Sequence, residues 1–280
     1  MNSPLTIKPV ATALGAEIEG VDLSRDLDDG TVAAIRQALL DHCVIFFRGQ
    51  SLDPERHKAF ARRFGELFLH PYFAGSRADP AVIDIVREPG DRRVVGEYWH
   101  SDTPHVPEPP MGSVLYAVEV PPYGGDTLFS NQYLAYESLS AGFKSMLEGR
   151  RALHTDRLVS GPAQQLNAAR ATKIRIEEKW SETANHHPVV RTHPETGRKA
   201  LYVNRATTVS FEHMTEEESA PLLKYLFEQG SRPEFSCRFR WTPGAVAFWD
   251  NRCTQHLAIN DTGSFRRVMR RIQINGDRPF

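Results

Sequence analysis

Residues 235–241 (FSCRFRW), 245–250 (AVAFWD) and 267–274 (RVMRRIQI) decide the fold that this sequence predicts. Each stretch is short and rich in aromatic or aliphatic residues, and the first alternates apolar with polar residues, which is typical of strands. These stretches make the second half of the chain strand-rich, while helical segments are scattered along its length. We therefore expect a mainly β fold with helices (α+β), in which a β-sandwich or barrel has helices packed outside it.

The remaining elements follow from caps and periodicity. Thr215 and Glu218 have the spacing of a capping box, and Asp53-Pro54 has an N-cap residue followed by proline at the first helical position. The sequence predicts helices over 31–42, from Asp53-Pro54, over 132–148 and over 215–229, and strands over 43–47 and 113–120.

Composition narrows the class of protein. The 280 residues are 25% charged, and 34 Lys+Arg against 35 Asp+Glu give a net charge of −1, so the basic excess of a nucleic-acid binder is absent. No apolar run approaches the ~20 residues that cross a bilayer, so we expect no membrane partner. Three widely spaced cysteines indicate reduced thiols and a cytoplasmic protein rather than a disulfide framework.

No linker or repeat divides the chain, which favours one domain over 1–280. Residues 155–186 are polar and lack a clear pattern. They are either a mobile lid over a site or a long surface excursion.

His100-Ser101-Asp102 is a His-x-Asp triplet, and residues two apart in extended backbone point to the same side. An imidazole and a carboxylate suit Fe(II), Mn or Zn, and a distant histidine would complete a set that leaves positions open for oxygen and a co-substrate. The chain has two other His-x-acid triplets. His154/Asp156 enters a polar stretch, and His193/Glu195 resembles a hairpin turn. Because His100 comes just before the strand predicted over 113–120, context favours its triplet.

His256 is the best candidate for the third metal ligand. It follows the apolar strand 245–249 and the segment 250–255. Taken alone it would be read as a structural histidine, and the arginines that follow it change that interpretation.

Two arginines of the last predicted strand complete the candidate site. Period two places Arg267 and Arg271 on one face, opposite an aliphatic face that includes Ile272 and Ile274. If the aliphatic face packs against helices, both arginines face the barrel interior. Buried arginines without carboxylate partners are costly unless each receives an anion, one a dicarboxylate co-substrate and the other the anionic end of a substrate. The alternative is an edge strand with solvated arginines.

The combined motifs resemble those of the Fe(II)/2-oxoglutarate-dependent dioxygenases of the TauD/TfdA family. The resemblance is collinear from about Leu14 to Gly276. It implies a double-stranded β-helix (jelly roll) with surrounding helices, and Fe(II), 2-oxoglutarate and O2 as cofactor and co-substrates. The motifs that carry it are 99–102 (WHSD), 124–127 (GGDT), 249–256 (WDNRCTQH), Arg267 and Arg271.

The resemblance also assigns roles to single residues. It implies hydroxylation of a small anionic organic substrate, often with C–O or C–S cleavage, and release of succinate and CO2. The matching positions are His100, Asp102 and His256 for iron, Thr127 and Arg267 for 2-oxoglutarate, and Arg271 and His70 for the substrate.

Three pocket positions differ from the taurine-oxidising members: Phe73, Gly96 and Thr207. The smaller residues at Gly96 and Thr207 predict room for a tail bulkier than that of taurine. The segment 87–97 looks more like the aryloxyalkanoate dioxygenases, and other relatives attack alkyl sulfate esters. The substrate is therefore expected among aryloxyalkanoates, sulfonates and sulfate esters.

Two other classes of function use part of this set. A non-catalytic jelly roll could bind a metal or an anion, and a zinc hydrolase could use the same three ligands with a water molecule. Neither needs the dicarboxylate seat that Arg267 and Thr127 imply. By the same resemblance we expect a homodimer or homotetramer.

Overall fold

The structure is a computed structural model that describes residues 5–71, 79–92, 95–158 and 182–280. The greater part of the lid predicted over 155–186 lies outside these residues, as does Phe73. Within the described ranges, no helix is both long enough and apolar enough to span a membrane.

Strands dominate the described chain, and the helices lie mostly in its first half. The strands are β1 Thr6–Pro9, β2 Ala16–Glu19, β3 Val44–Phe47, β4 Ile83–Arg87, β5 Gly112–Glu119, β6 Thr127–Asn131, β7 Arg151–Thr155, β8 Ala184–Pro188, β9 Val190–Thr192, β10 Lys199–Leu201, β11 Thr208–Phe211, β12 Ser236–Phe239, β13 Val246–Asp250, β14 Thr254–Ala258 and β15 Arg267–Ile274. The helices are α1 Asp29–His42, α2 Pro54–Arg62, α3 Gln132–Glu137, α4 Ala141–Leu147 and α5 Glu216–Gly230, with a 3-10 turn at Pro233–Phe235.

One large sheet forms the base of the molecule. Its strand order is β1-β2-β3-β13-β5-β15-β4, and all its pairings are antiparallel except that of β2 with β3. A second sheet has the order β12-β6-β14. The strands that carry the predicted arginines and the predicted third metal ligand therefore belong to different sheets, β15 and β14.

The alternation of side chains on β3 shows how the sheets and helices pack. Ile45 and Phe47 point to a core shared with α1 and α2, whereas Val44 and Phe46 point to the opposite side. There Phe46 stacks on Phe239 of the second sheet, with ring centroids 3.9 Å apart. The two sheets thus face each other, and α1 and α2 cover the outer face of the larger one, whereas α3, α4 and α5 share a separate core with β7, β10 and β11.

The predicted helices are confirmed with one correction. The capping box of Thr215 and Glu218 begins α5 as expected, and Asp53 caps α2. The helix predicted over 132–148 is wrong as a single element. It divides into α3 and α4 because Ser140 adopts extended backbone and caps a new helix by accepting from the N–H of Phe143.

The predicted strands over 43–47, 113–120 and the last fifty residues are confirmed within two residues at each end. Strand β14 was missed because its sequence, TQHLA, is mostly polar. Its three polar residues are nevertheless buried, and Thr254 and Gln255 satisfy their side chains with hydrogen bonds inside the protein.

His57 on α2 makes a testable contribution to stability. It is fully buried, and its Nε2–H donates to the carbonyl oxygen of Val114 at 3.2 Å. Burial, and secondarily the charge of Arg270, lowers its pKa from 6.5 to about 3. The unfolded chain binds this proton near pH 6.5 and the folded chain does not, so stability is complete above that pH and falls as the pH drops towards 3.

We expect the wild-type free energy of unfolding to fall by about 2 kcal/mol more between pH 7.5 and 5.0 than that of H57Q, at about 1.4 kcal/mol per pH unit below 6.5. Glutamine keeps an N–H donor but does not titrate. Urea unfolding of both proteins at both pH values measures the difference. Equal losses in the two proteins would show that His57 is protonated in the folded state.

Candidate active site

Two histidines from distant parts of the chain meet across a backbone bridge. The N–H of His100 donates to the carbonyl oxygen of His256 at 3.1 Å, and the N–H of His256 donates back at 2.8 Å. The Oδ1 atom of Asp102 lies 3.8 Å from the Nε2 atoms of both rings. The three donor atoms all lie within 4.8 Å of one another, so the structure brings together the three predicted metal ligands.

Hydrogen bonding and packing orient the two imidazoles. His100 Nδ1 donates to the carbonyl oxygen of Tyr98 at 2.7 Å, which leaves Nε2 unprotonated towards Asp102. The ring of His256 is held against Trp249, with centroids 4.6 Å apart. Burial lowers the pKa of both imidazoles, that of His256 to about 3. Both are therefore neutral at pH 7, as metal coordination requires.

Asp102 is ionised in this setting. Burial alone would raise its pKa, but the positive charge of Arg271, the electrostatic influence of the neighbouring His256 and His100 and a hydrogen bond from Ser113 lower it below its ordinary value. Ser113 Oγ lies 2.6 Å from Oδ2, and Arg271 Nη1 donates to Oδ1 at 3.1 Å.

Arg267 occupies a buried position next to Thr127. Only 9% of Arg267 is exposed, and its Nε has no hydrogen-bond partner among the described residues. Burial lowers the pKa of its guanidinium to about 10, against the opposing effect of Asp126. Trp241 lies 5.9 Å below the guanidinium, and its Nε1 donates to Thr127 Oγ1 at 2.9 Å. This is an orphaned buried cation beside a hydroxyl, which is a seat for an anion.

Gly125 makes room for the Arg267 side chain. Its φ is +69°, and a Cβ there would lie 3.1 Å from Arg267 Cδ and 2.8 Å from Thr262 Cγ2. A side chain at position 125 would therefore be strained and would press on the arginine.

A single cavity connects the metal-ligand candidates with the anion seat. Its polar lining comes from the two histidines and the two arginines with Thr127, and its apolar lining includes Ile85, Val95 and Leu115. A ligand in this cavity can therefore reach the histidine nitrogens and Arg267 at the same time.

Gly96 lines the cavity for a specific steric reason. Its φ is +80°, and a Cβ would lie only 2.9 Å from Cε1 of His100. The glycine allows the backbone to pack directly against the metal-ligand candidate.

The prediction that both arginines face the interior is confirmed, and one of them has a carboxylate partner. Both Arg267 and Arg271 are buried on the inner face of β15, while Arg270 points outward and donates to Asp84 at 3.0 Å. No carboxylate partner of either arginine is evident in the sequence. Arg271 has one, Asp102, because β15 passes directly beside the His-x-Asp loop.

His70 lies close enough to Arg271 to be influenced by its charge. Burial, followed by the positive charges of Arg271 and His105, lowers the pKa of His70 well below its usual value. The imidazole is therefore neutral at pH 7.

The two rival His-x-acid triplets serve the scaffold. His193 Nε2 bonds to Asp250 Oδ2 at 3.0 Å in the hairpin between β9 and β10, as the turn signal predicted. Asp250 also accepts from Arg252, so it orients its neighbours. Cys253 completes a second compact group with His193 and Asp250, but its thiol is buried and burial raises its pKa. His154 is a buried residue of β7 that bonds to Thr208.

Sequence reasoning missed the polar residues behind Asp102. Ser113 is the second residue of β5, Asn251 follows β13, and Gln273 shares the inner face of β15 with the arginines. Only the position of Gln273, in step with Arg267 and Arg271, gave a signal in the sequence.

Residues 6–273 match the family model described as taurine catabolism dioxygenase TauD, TfdA family. An alkylsulfatase of Acinetobacter baylyi is 35% identical, over 98% of this chain and 86% of the relative. An alpha-ketoglutarate-dependent sulfate ester dioxygenase of Pseudomonas putida is 35% identical, over 98% and 91%. An alpha-ketoglutarate-dependent 2,4-dichlorophenoxyacetate dioxygenase of Cupriavidus pinatubonensis is 34% identical, over 94% and 95%.

The fold is also found among solved structures. A crystal structure described as a taurine dioxygenase from Burkholderia xenovorans superposes with a TM-score of 0.83 at 39% identity, covering 98% of this chain and 90% of that one. The sheet-rich α/β architecture is therefore shared along nearly the whole chain.

Proposed function

Because this chain belongs to the TauD/TfdA family of dioxygenases, we propose that His100, Asp102 and His256 are the protein ligands of its iron. The protein is an Fe(II)- and 2-oxoglutarate-dependent dioxygenase that acts on a small organic anion. The roles of single residues and the class of substrate are argued below from the residues of this chain.

The donor set fits Fe(II). Two neutral imidazoles and one carboxylate present their donor atoms to a common point, and three protein ligands leave positions open for 2-oxoglutarate and oxygen. The observation that carries the proposal is the cavity that joins these donors to Arg267, whose buried Nε lacks a partner among the described residues.

Arg267 and Thr127 hold the distal carboxylate of 2-oxoglutarate. The guanidinium provides planar paired donors, and the Thr127 hydroxyl, which accepts from Trp241, directs its own proton towards the same site. When bound, Fe(II) with 2-oxoglutarate and O2 supplies the oxidising power, and 2-oxoglutarate leaves as succinate and CO2. The residues fix where the co-substrate lies and keep water out.

Arg271, with His70 beside it, binds the anionic group of the substrate. In the structure its Nη1 bonds to Asp102 Oδ1, the oxygen that faces both histidines. A cation at that oxygen would repel the guanidinium, and the arginine would then take the substrate anion as its partner. The metal and the substrate are therefore expected to bind cooperatively.

We propose an alkyl sulfate ester as the substrate. The cavity combines Arg271 with the aliphatic side chains of Ile85, Val95 and Leu115, which suit an anionic head and an apolar tail. Two of the relatives described above act on sulfate esters by name. Hydroxylation of the carbon that bears the ester oxygen gives an adduct that breaks its C–O bond to release sulfate and an aldehyde. Aryloxyalkanoates are the second candidate, as the segment 87–97 indicates.

The two facing sheets support a double-stranded β-helix as the core, in which β14 and β15 present the site from opposite walls. The cytoplasmic location, the single domain over 1–280 and the homodimer or homotetramer stay predictions.

Oxygen uptake by the purified protein with Fe(II), 2-oxoglutarate and ascorbate tests the substrate class. Hexyl sulfate, taurine and a phenoxyacetate are compared at equal concentrations. The proposal expects the largest kcat/KM for hexyl sulfate. A larger value for the phenoxyacetate would reassign the substrate, and uptake that is independent of 2-oxoglutarate would reject the proposed anion seat.

The variant R271Q is expected to raise the KM for hexyl sulfate by about 100-fold, since losing one member of a buried charge pair costs about 2–5 kcal/mol. Its affinity for Mn²⁺ should be unchanged or tighter, because a positive charge beside Asp102 is removed. R270Q is the matched control on the outer face of the same strand. An unchanged KM in R271Q would exclude Arg271 from substrate binding.

A further inference from the structure

A row of buried side chains lies behind Asp102, on the side away from the histidines. Trp249 Nε1 bonds to Asn251 Oδ1 at 2.8 Å, and Asn251 Nδ2 lies 3.4 Å from Ser113 Oγ. Gln273 Nε2 also reaches Ser113 Oγ, at 3.2 Å, and Ser113 Oγ lies 2.6 Å from Asp102 Oδ2. None of these contacts is used by the function proposed above.

The direction of each hydrogen bond in this row follows from counting protons. An indole nitrogen can only donate, so the atom of Asn251 that faces Trp249 must be its oxygen. The backbone N–H of Asp102 donates to the same oxygen, at 3.3 Å. The amide nitrogen of Asn251 therefore faces Ser113 and donates to it.

Ser113 has one hydroxyl proton to place. Its oxygen already accepts from the amide nitrogens of Asn251 and Gln273. The proton must then go to Asp102 Oδ2, which as an ionised carboxylate oxygen can only accept. The contact is short because its acceptor is charged.

The two carboxylate oxygens of Asp102 therefore have different surroundings. Oδ2 accepts the hydrogen bond from Ser113, and Oδ1 lies 3.8 Å from the Nε2 atoms of His100 and His256. Ser113 is 0% exposed, and its neighbours in the row are also buried, so no water competes for Oδ2.

We infer that Ser113, held by Asn251 and Gln273, is a positioning residue that restricts Asp102 to binding the metal through one oxygen. This inference rests on the proposed function, in which Asp102 is a ligand of iron. An octahedral ion has room for three single-atom protein ligands, a chelating 2-oxoacid and one further molecule. A carboxylate that used both oxygens would occupy the position that oxygen needs, so Ser113 keeps that position open.

The variant S113A tests this inference, with S130A as its matched control. Ser130 is also 0% exposed and lies on β6, but its hydroxyl donates to the carbonyl oxygen of Gly230, away from Asp102. S113A removes the oxygen that contacts Asp102, Asn251 and Gln273, and S130A removes the oxygen that donates to Gly230 and accepts from Gln132 Nε2 at 3.3 Å, so both variants lose buried hydrogen bonds. Thermal unfolding of both variants checks that they are folded and comparably destabilised.

The readout is the visible absorption of Co²⁺-loaded protein with 2-oxoglutarate and hexyl sulfate under nitrogen, since five-coordinate Co²⁺ absorbs more strongly than six-coordinate Co²⁺. Wild type and S130A should show the intense five-coordinate bands. S113A should show the weaker six-coordinate bands, and its oxygen uptake with Fe(II) should fall by about 10–100-fold, the range seen when partners of metal ligands are removed.

The outcomes separate the inference from the function on which it rests. Identical spectra and turnover in S113A and wild type would overturn the role of Ser113 and leave the metal site standing. Wild-type protein that gives no protein-bound Co²⁺ spectrum would reject the metal site itself. Equal losses of turnover in S113A and S130A, with unchanged spectra, would assign Ser113 to folding alone.

Discussion

The variant H256A is expected to lose oxygen uptake completely and to bind Mn²⁺ too weakly to detect at stoichiometric concentrations. His256 supplies one of only three protein donors, and its N–H and C=O also form the bridge that fixes His100. Alanine keeps the bridge but removes the donor, so the loss is one of metal coordination. Isothermal titration with Mn²⁺ and oxygen uptake with Fe(II) measure the two effects.

H186A is the control for that experiment. His186 lies on β8, it is not among the residues whose donor atoms meet at the candidate metal site, and its backbone oxygen accepts from Arg151. It should keep wild-type metal affinity and turnover. Retained activity with full metal occupancy in H256A would refute the metal assignment.

The variant R267Q is expected to raise the KM for 2-oxoglutarate by about 100–1000-fold, equivalent to about 3–4 kcal/mol at tenfold per 1.4 kcal/mol. The guanidinium is buried and its Nε has no hydrogen-bond partner within the described part of the chain, so the proposal expects the co-substrate carboxylate to satisfy it. The KM for hexyl sulfate should change little. R267K should lie between the two, because lysine keeps the charge but loses the planar pair of donors.

The matched control for R267Q is again R270Q, because Arg270 lies on the opposite face of the same strand and donates to Asp84. Kinetics with 2-oxoglutarate varied at saturating hexyl sulfate, and then the reverse, separate the roles of the two inner arginines. An unchanged KM for 2-oxoglutarate in R267Q would remove Arg267 from the co-substrate seat.

Local signals in the sequence were sufficient for much of the fold. The capping box at Thr215 and the proline after Asp53 begin helices where predicted, because these signals act within one turn. Strand β14 was not predicted because its own residues are mostly polar and its burial comes from tertiary packing around the site. The break between α3 and α4 was not predicted because Ser140 can either continue a helix or cap one, and tertiary packing decides which of the two occurs.

In the site, too, local patterns could be predicted, whereas contacts between distant residues could not. His100 and Asp102 are neighbours in sequence, and period two alone turned Arg267 and Arg271 inward, so both pairs could be predicted. The bond from Arg271 to Asp102 joins residues 169 positions apart. Ser113 and Asn251 are likewise brought to Asp102 only by the pairing of β13 with β5.

The pocket shows why the substrate is harder to predict than the reaction. Gly96 suggested space for a larger tail, but its close approach to His100 accounts for the glycine without any substrate. Specificity depends on the shape of the whole cavity and on the position of His70, which single residue types do not encode.

The most direct test of the central claim is the ratio of products from hexyl sulfate. Succinate and inorganic sulfate are measured in the same reaction, with and without oxygen, at equal Fe(II) and 2-oxoglutarate. Equal amounts of both products in air, and neither without oxygen, are the predicted result. Sulfate released without oxygen or 2-oxoglutarate would show a hydrolase that uses the same three ligands, and would contradict the account.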